Sequence, residues 1–242
     1  MSGHSKWSKV KHQKATTDVV KARAFTNAAR SISIAVSEGG GVTDPNHNFR
    51  LRLAIEKARQ ENVPKENIER AIEKGKGGDS ASLSQLVYEA YGPSRVAILI
   101  EAVTDNNRRT VSQVKNYVEN NGGVMTAQGA VSYLFAPAGY MKLKSNGVSF
   151  DTIFEAFVLA GASDITEDPD GVHIYCSVSD LSTLGQLASQ DLGMSILSQS
   201  IIMKPHTVIE ISPENKQEIE EFISGILEMD DVINVYTNIK RG

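Results

Sequence analysis

The sequence has 242 residues, of which 40% are hydrophobic and 22% are charged, and its formal net charge is −4. This length and apolar content suit one to three globular domains, and no run approaches the roughly 18 apolar residues that a membrane span needs. The single cysteine, Cys176, excludes an internal disulfide and suits a reducing compartment, so we expect a cytoplasmic protein with a mature start and no membrane partner.

Charge is distributed unevenly along the chain. Residues 1–80 contain 15 Lys and Arg against 9 Asp and Glu, a net charge of +6, whereas residues 81–242 contain 10 against 20, a net charge of −10. A basic head on an acidic body indicates a polyanionic partner that faces the head only.

The first thirty residues are the most basic stretch, and they surround the only tryptophan, Trp7. The stretch lacks the apolar periodicity of a core, so we expect it either to lie on the surface or to be mobile until it meets a partner. Lysines spaced along an arm suit a phosphate backbone, and Trp7 could stack on a base; a basic terminus that only aids solubility is the alternative. The residues that would contact nucleic acid are Lys6, Trp7, Lys9, Lys11, His12, Lys14, Lys21, Arg23 and Arg30.

Three helices are predicted in the basic head. Apolar residues recur at three- and four-residue spacing over residues 16–38, with Thr17 or Asp18 as the N-cap. Residues 48–60 form a second amphipathic pattern that begins with an asparagine N-cap, and residues 64–75 form a third that begins with proline and ends at glycine. Three short helices predict a small helical domain.

Beyond residue 82 the pattern changes to alternating strands and helices. The predicted elements are strands at 86–91 and 96–103, a helix opened by 104–110, a strand at 208–211, a helix from 212 and a last strand at 232–236. Two βαβ-like halves separated by a long interval predict a ferredoxin-like domain interrupted by an insertion. The insertion has its own pattern, with strands at about 131–135, 139–144, 163–167, 171–177 and 195–203 and two helices.

The predicted fold class is therefore α+β with three domains. Residues 1–80 form the basic arm and the small helical domain. Residues 81–130 and 206–242 form the discontinuous ferredoxin-like α+β domain, and residues 131–205 form the inserted second α+β domain.

No pattern in the sequence is typical of a catalytic or metal site. The five histidines are scattered, Cys176 lies in a predicted buried strand, and no nucleophile elbow is present. A cluster of acids near the C-terminus is interpreted as a solvated face, with a surface for a basic partner as the alternative: Glu218, Glu220, Glu221, Glu228, Asp230 and Asp231. We expect a non-enzymatic protein with no cofactor, no metal and no small-molecule substrate.

Two arginines, Arg108 and Arg109, lie in the first turn of a predicted helix that Asp105 or Asn106 would cap. Positive charge at that end of a helix opposes the helix dipole, so the arginines need a compensating partner. A nucleic-acid phosphate or a protein carboxylate would serve, and both alternatives stay open. Both arginines are therefore added to the candidate nucleic-acid contacts.

Several motifs together resemble the YebC/PmpR family over essentially the whole chain. They are the opening Gly3-His4-Ser5-Lys6-Trp7 with Lys11-His12, the run Asn62-x-Pro64-x-x-Asn67-Ile68-x-Arg70-Ala71-Ile72, the run Tyr88-Glu89-x-Tyr91-Gly92-Pro93, and the polar run from Thr104 to Thr110. The resemblance implies a three-domain cytoplasmic protein of a family described as probable DNA-binding transcriptional regulators. Its relatives include the mitochondrial translational activator of cytochrome oxidase, which acts on the ribosome.

Two hypotheses follow for the function. In the first, the chain is a nucleic-acid-binding regulator of gene expression whose basic head grips phosphates. In the second, it is a ribosome-associated translation factor whose head touches ribosomal RNA while the acidic body faces basic ribosomal proteins; the charge asymmetry slightly favours such a partner of mixed charge. No segment has the pattern of a helix-turn-helix, so sequence-specific DNA binding rests on the family resemblance alone.

Overall fold

The computed structural model describes residues 3–77 and 83–240, with side chains described for residues 21–77 and 83–240. Contacts divide the chain into two compact units. The first takes Met1–Leu86, Ala102–Thr110 and Glu228–Ile233, and the second takes Val87–Glu101, Val111–Leu227 and Asn234–Gly242. The boundaries of the three predicted domains stay a prediction.

The described residues form seven α-helices and eight β-strands. The helices are α1 (Gly3–Glu38), α2 (Phe49–Gln60), α3 (Lys65–Lys76), α4 (Asn107–Asn120), α5 (Phe150–Leu159), α6 (Leu181–Gln186) and α7 (Pro213–Leu227). The strands are β1 (Ser84–Tyr91), β2 (Ala97–Thr104), β3 (Val124–Met125), β4 (Phe135–Lys144), β5 (Ala162–Asp168), β6 (Gly171–Cys176), β7 (Ser195–Pro205) and β8 (Val232–Thr237).

Helix α1 is longer than predicted. It begins at Gly3, so the predicted start at Thr17 or Asp18 is wrong. Residues 4–17 contain no glycine or proline, and their lysines, glutamine and alanine favour helix. No residue therefore stops the helix from extending through the segment that was expected to be an irregular arm.

The core of the first unit lies between α1, α2 and α3. Its buried apolar residues are Ala28, Ile32, Ala35, Val36, Leu51, Ile55, Ala58, Val63, Ile68 and Ala71. Asn48 joins two of the helices, since its side chain accepts a hydrogen bond from the Leu51 amide at 3.0 Å and donates one to the Ala35 carbonyl at 2.9 Å. The predicted N-cap of α2 is confirmed, and it also fixes the turn between α1 and α2.

One four-stranded sheet has the strand order β5-β6-β4-β7, and its pairings are antiparallel. The chain runs β4-α5-β5-β6-α6-β7, which is the ferredoxin-like order. Alternate residues of the central strands, such as Met141 and Ile174, are fully buried, as are Phe157 of α5 and Leu184 of α6. This sheet and the helices α5 and α6 therefore bury apolar residues between them.

The other four-stranded sheet has the order β3-β1-β2-β8. All four strands of the ferredoxin-like sheet, β4 to β7, lie between β3 and β8 in the sequence. Strand β3 is only two residues long, too short to give a sequence pattern, and it pairs with the end of β1. Buried Glu89 of β1 holds the loop after β3, because its carboxylate accepts hydrogen bonds from the backbone amides of Gly129, Val131 and Ser132 at 2.6–2.9 Å.

The predicted α+β class, with a second α+β region inserted into the first, is confirmed. The ferredoxin-like order was predicted for residues 81–130 and 206–242, but it is formed by the inserted residues 135–205; the discontinuous region runs β1-β2-α4-β3-α7-β8, with no α-helix between its first two strands. Two predicted strands also differ. Residues 135–144 form the single strand β4, and Ser132–Leu134 form a 3₁₀ turn, where two strands had been predicted. Residues 208–211 form only an isolated bridge, between Ile209 and Ile239. Apolar runs alone cannot show whether a strand has a neighbour along its whole length.

Candidate nucleic-acid interface

The nine N-terminal residues predicted to contact nucleic acid all lie within the bounds of α1. Six of them, Lys6, Trp7, Lys9, Lys11, His12 and Lys14, have side chains outside the described part of the structure. The other three are Lys21, Arg23 and Arg30. Of these, Lys21 is exposed, whereas both arginines are partly buried.

Arg23 and Arg30 bind the turn that precedes β8. The Nε atom of Arg23 lies 3.7 Å from Oδ1 of Asp230. Arg30 lies 3.0 Å from Oδ1 of Asp231 and also donates a hydrogen bond to the main-chain carbonyl of Asp230. Both guanidinium groups therefore have protein partners, and at least Arg30 has a structural role within the first unit.

Asp231 is the centre of a buried polar network in the first unit. It is 3% exposed and accepts hydrogen bonds from the hydroxyls of Thr104 at 3.0 Å and Thr110 at 2.6 Å. Nη2 of Arg109 donates to its Oδ2 at 2.9 Å. The interpretation of Asp231 as part of a solvated acidic face is wrong, because four side chains, including Arg30, converge on its carboxylate.

These partners determine the ionisation of Asp231. Burial raises the pKa of Asp231, but the hydrogen bonds from Thr110, Arg109 and Thr104 and the charge of Arg30 outweigh burial, so the pKa lies below the ordinary 3.8. The side chain is therefore a carboxylate at neutral pH, as two arginine partners require.

The network around Asp231 supplies the compensating partner for Arg109, one of the two adjacent arginines at the start of α4. Arg109 binds Asp231 and, at 2.8 Å, Asp105, and these hydrogen bonds raise the pKa of Arg109. The carboxylate alternative is thus the one observed for Arg109, and Asn106 caps α4 by accepting from the Arg109 amide at 3.1 Å. Arg108 is exposed and has no ion pair or hydrogen-bonded side chain among the described residues.

Sequence reasoning missed the joining of α1, α4 and the turn before β8 through one carboxylate. The adjacent acids Asp230 and Asp231 gave no local signal of different environments, since both follow a helix rich in glutamate. A polar run with two threonines and two arginines at 104–110 was the only hint that a buried acid was required.

No group of three or more His, Cys, Asp or Glu side chains in the described part of the chain could hold a metal ion. None of the helices, as far as they are described, is long and apolar enough to cross a membrane.

Comparison with known proteins gives matches along most of the chain. Residues 5–78 match the model of the TACO1/YebC protein N-terminal domain, and residues 83–239 match the model of the TACO1/YebC second and third domain. A protein of Thermoanaerobacter pseudethanolicus named a probable transcriptional regulatory protein is 39% identical over 242 residues, covering 99% of this chain and 97% of its own length. A protein of Trichlorobacter lovleyi with the same name is 39% identical over 239 residues, covering 98% and 95%.

A solved structure extends the likeness to the fold. The crystal structure of a conserved hypothetical protein from Aquifex aeolicus has a TM-score of 0.78 and 33% sequence identity, covering 90% of each chain. The two domain models, the full-length relatives and this structure agree, and the chain belongs to the TACO1/YebC family.

Proposed function

We propose that this protein is a non-enzymatic regulator of gene expression that binds the phosphate backbone of a nucleic acid through α1. The observation that carries the proposal is the basic character of this one helix. Within residues 1–30 there are seven Lys and Arg and a single acid, in a chain whose formal net charge is −4. The name of the relatives, probable transcriptional regulatory protein, supports a nucleic-acid partner.

The described side chains limit which cations are available. Arg23, Arg30 and Arg109 are partnered by Asp230 and Asp231 and so offer less to a ligand. Exposed Lys21 and Arg108 are better placed to meet phosphates. The lysines at positions 9, 11 and 14 supply the rest of the proposed contact, because each cation that neutralises a phosphate releases condensed counterions.

The test is the salt dependence of nucleic-acid binding. Fluorescence anisotropy with labelled RNA and DNA would be measured against KCl concentration for the wild type and for Lys9→Ala, Lys11→Ala, Lys14→Ala combined. We expect weaker binding and a slope of log K against log salt reduced by up to about three units, since each lost contact removes about 0.7–0.9.

A matched control removes the same charge from elsewhere on the surface. Lys65, Lys115 and Lys216 each lie within 4 Å of a glutamate four residues later, on α3, α4 and α7. Changing these three lysines to alanine is expected to leave the slope close to that of the wild type. Equal slopes for the α1 variant and the wild type would show that α1 does not bind phosphate.

The second candidate, a ribosome-associated translation factor, is favoured by the acidic remainder of the chain. Residues 81–242 have a net charge of −10, which suits basic ribosomal proteins beside an RNA surface. Sedimentation of lysate through a sucrose gradient, with and without RNase, separates the candidates. If the wild type comigrates with ribosomal particles and the α1 variant does not, the protein acts in translation. If the protein stays at the top of the gradient and binds promoter DNA more tightly than competitor DNA, it acts in transcription.

A further inference from the structure

A groove of about 460 Å³ lies in the first unit, lined by residues of both α1 and α3. Its volume is within the range of ligand-binding clefts, roughly 300–1,000 Å³. Ser33 of α1 and Ala71 of α3 form its buried floor, where the serine hydroxyl donates a hydrogen bond to the Ala71 carbonyl at 2.8 Å. The floor is therefore fixed by the packing of the two helices.

Positive charge dominates the lining of this groove. Arg70 and Lys74, one turn apart on α3, line it together with Arg30 from α1. Asp105 is the only acid among the described lining residues, and it is ion-paired with Arg109 at 2.8 Å. Because Arg30 is paired with Asp231 and Asp105 with Arg109, the excess positive charge of the lining is that of Arg70 and Lys74, and it suits an anion.

The two α3 cations are not explained by the stability of the helix. Both are exposed, and neither has an ion pair or a hydrogen-bonded side chain among the described residues, although Glu66 lies one turn before Arg70. Like charges four residues apart on a helix repel each other. By contrast, Lys65 on the same helix lies 3.5 Å from Glu69.

The groove also offers contacts for parts of a ligand that are not charged. Phe25 of α1 lines it as a partly buried side chain, and Asn67, one turn before Arg70, adds an amide. Aromatic rings beside cations are the combination on which single-stranded nucleic acids bind, since bases stack on the ring while phosphates meet the charges.

We propose that this groove binds the phosphodiester backbone of a nucleic-acid strand, with Arg70 and Lys74 on phosphate oxygens and Phe25 against a base or sugar. The guanidinium of Arg70 suits bidentate contact with a phosphate, and the ammonium of Lys74 acts as a point charge beside it. The inference rests on the proposed function and adds residues of α3 to it.

The experiment compares two double variants of the full chain in the same anisotropy titration. The groove variant is Arg70→Gln with Lys74→Gln, and the control is Lys65→Gln with Lys76→Gln, which removes two exposed charges of α3 outside the groove lining. The probes are a labelled 20-nucleotide single-stranded RNA, the same sequence as DNA, and the duplex.

We expect the groove variant to bind at least one probe about tenfold more weakly at 0.1 M KCl, with a salt slope reduced by about 1.4–1.8 units, while the control changes less than twofold. Arg70→Lys with Lys74→Arg, which keeps both charges, should retain most of the affinity. The probe that the wild type binds most tightly identifies the strand type, since a single-stranded ligand also uses Phe25.

The outcomes separate this inference from the proposed function. If the groove variant binds as tightly as the wild type, or loses no more affinity than the control variant does, the groove assignment is wrong, while the role of α1 is unaffected. If the wild type binds none of the three probes, the proposed function is wrong and the groove assignment is wrong with it. Circular dichroism spectra of the variants should match the wild type, because all four substituted residues are exposed.

Discussion

Replacing Asp231 by alanine should destabilise the protein more than the loss of any surface acid. The carboxylate is 3% exposed and accepts hydrogen bonds from two threonines and Arg109, with Arg30 3.0 Å away. Removing one partner of a buried charged network costs about 3–5 kcal/mol. Because the side chains of Arg30 and Arg109 are 20% and 43% exposed and can regain water, we expect about 3 kcal/mol, the lower end of that range.

The neighbouring residue provides the matched control. The side chain of Asp230 is 87% exposed and lies 3.7 Å from Arg23, so Asp230→Ala should cost less than about 0.5 kcal/mol. Urea denaturation followed by circular dichroism gives both free energies of unfolding. A difference of less than about 1 kcal/mol between the two variants would refute the assignment of Asp231 as the centre of the network.

The same network sets a pH dependence of stability. The pKa of Asp231 is lower in the folded protein than its ordinary 3.8, so the folded state binds a proton at this site less readily than the unfolded state does. Its stabilising contribution is therefore complete above about pH 5 and is lost as the pH falls through 3.8 and below. The gap between wild type and Asp231→Ala should be constant from pH 5 to 7 and shrink below pH 4.

Three other predictions concern single residues. Gly75→Ala should destabilise the protein by about 1–3 kcal/mol, because the new methyl group would lie 2.7 Å from a backbone carbonyl oxygen of α1. Gly77→Ala is the control and should be nearly neutral, because the nearest atom to its new methyl group is 3.8 Å away. Equal melting temperatures for the two variants would contradict this prediction. Burial raises the pKa of Glu89, but hydrogen bonds from three backbone amides outweigh burial, so the pKa lies below its ordinary 4.5. Glu89→Gln should therefore lower the free energy of unfolding by about 2 kcal/mol in urea denaturation at pH 7, and by progressively less below pH 4.5. Burial and the charge of Asp180 raise the pKa of the Cys176 thiol to about 11. A disulfide reagent at pH 8 should therefore label this thiol only after the protein unfolds, and rapid labelling of the native protein would contradict this prediction.

The sequence could predict what depends on near neighbours. Asn48 was identified as an N-cap because the cap and the amide it binds are three residues apart, and the strands β1, β2 and β6 follow from short apolar patterns. The start of α1 was missed because a basic stretch without glycine or proline has no defined end. The two-residue strand β3 was missed because its pairing with β1 is not encoded locally.

By itself the sequence determined the class of the fold, the separation of positive and negative charge along the chain, and the resemblance to a family, since composition and motif spacing do not depend on distant contacts. Only the tertiary structure decided which charges are available to a ligand. Thr110 and Asp231 are 121 residues apart and hydrogen-bonded at 2.6 Å, so one of two adjacent acids is buried and neutralises arginines that had seemed free for phosphate. Among the described residues neither Arg70 nor Lys74 has such a partner, and both line a groove between α1 and α3. No local sequence pattern distinguishes a cation that lines a groove from one that is surrounded by water.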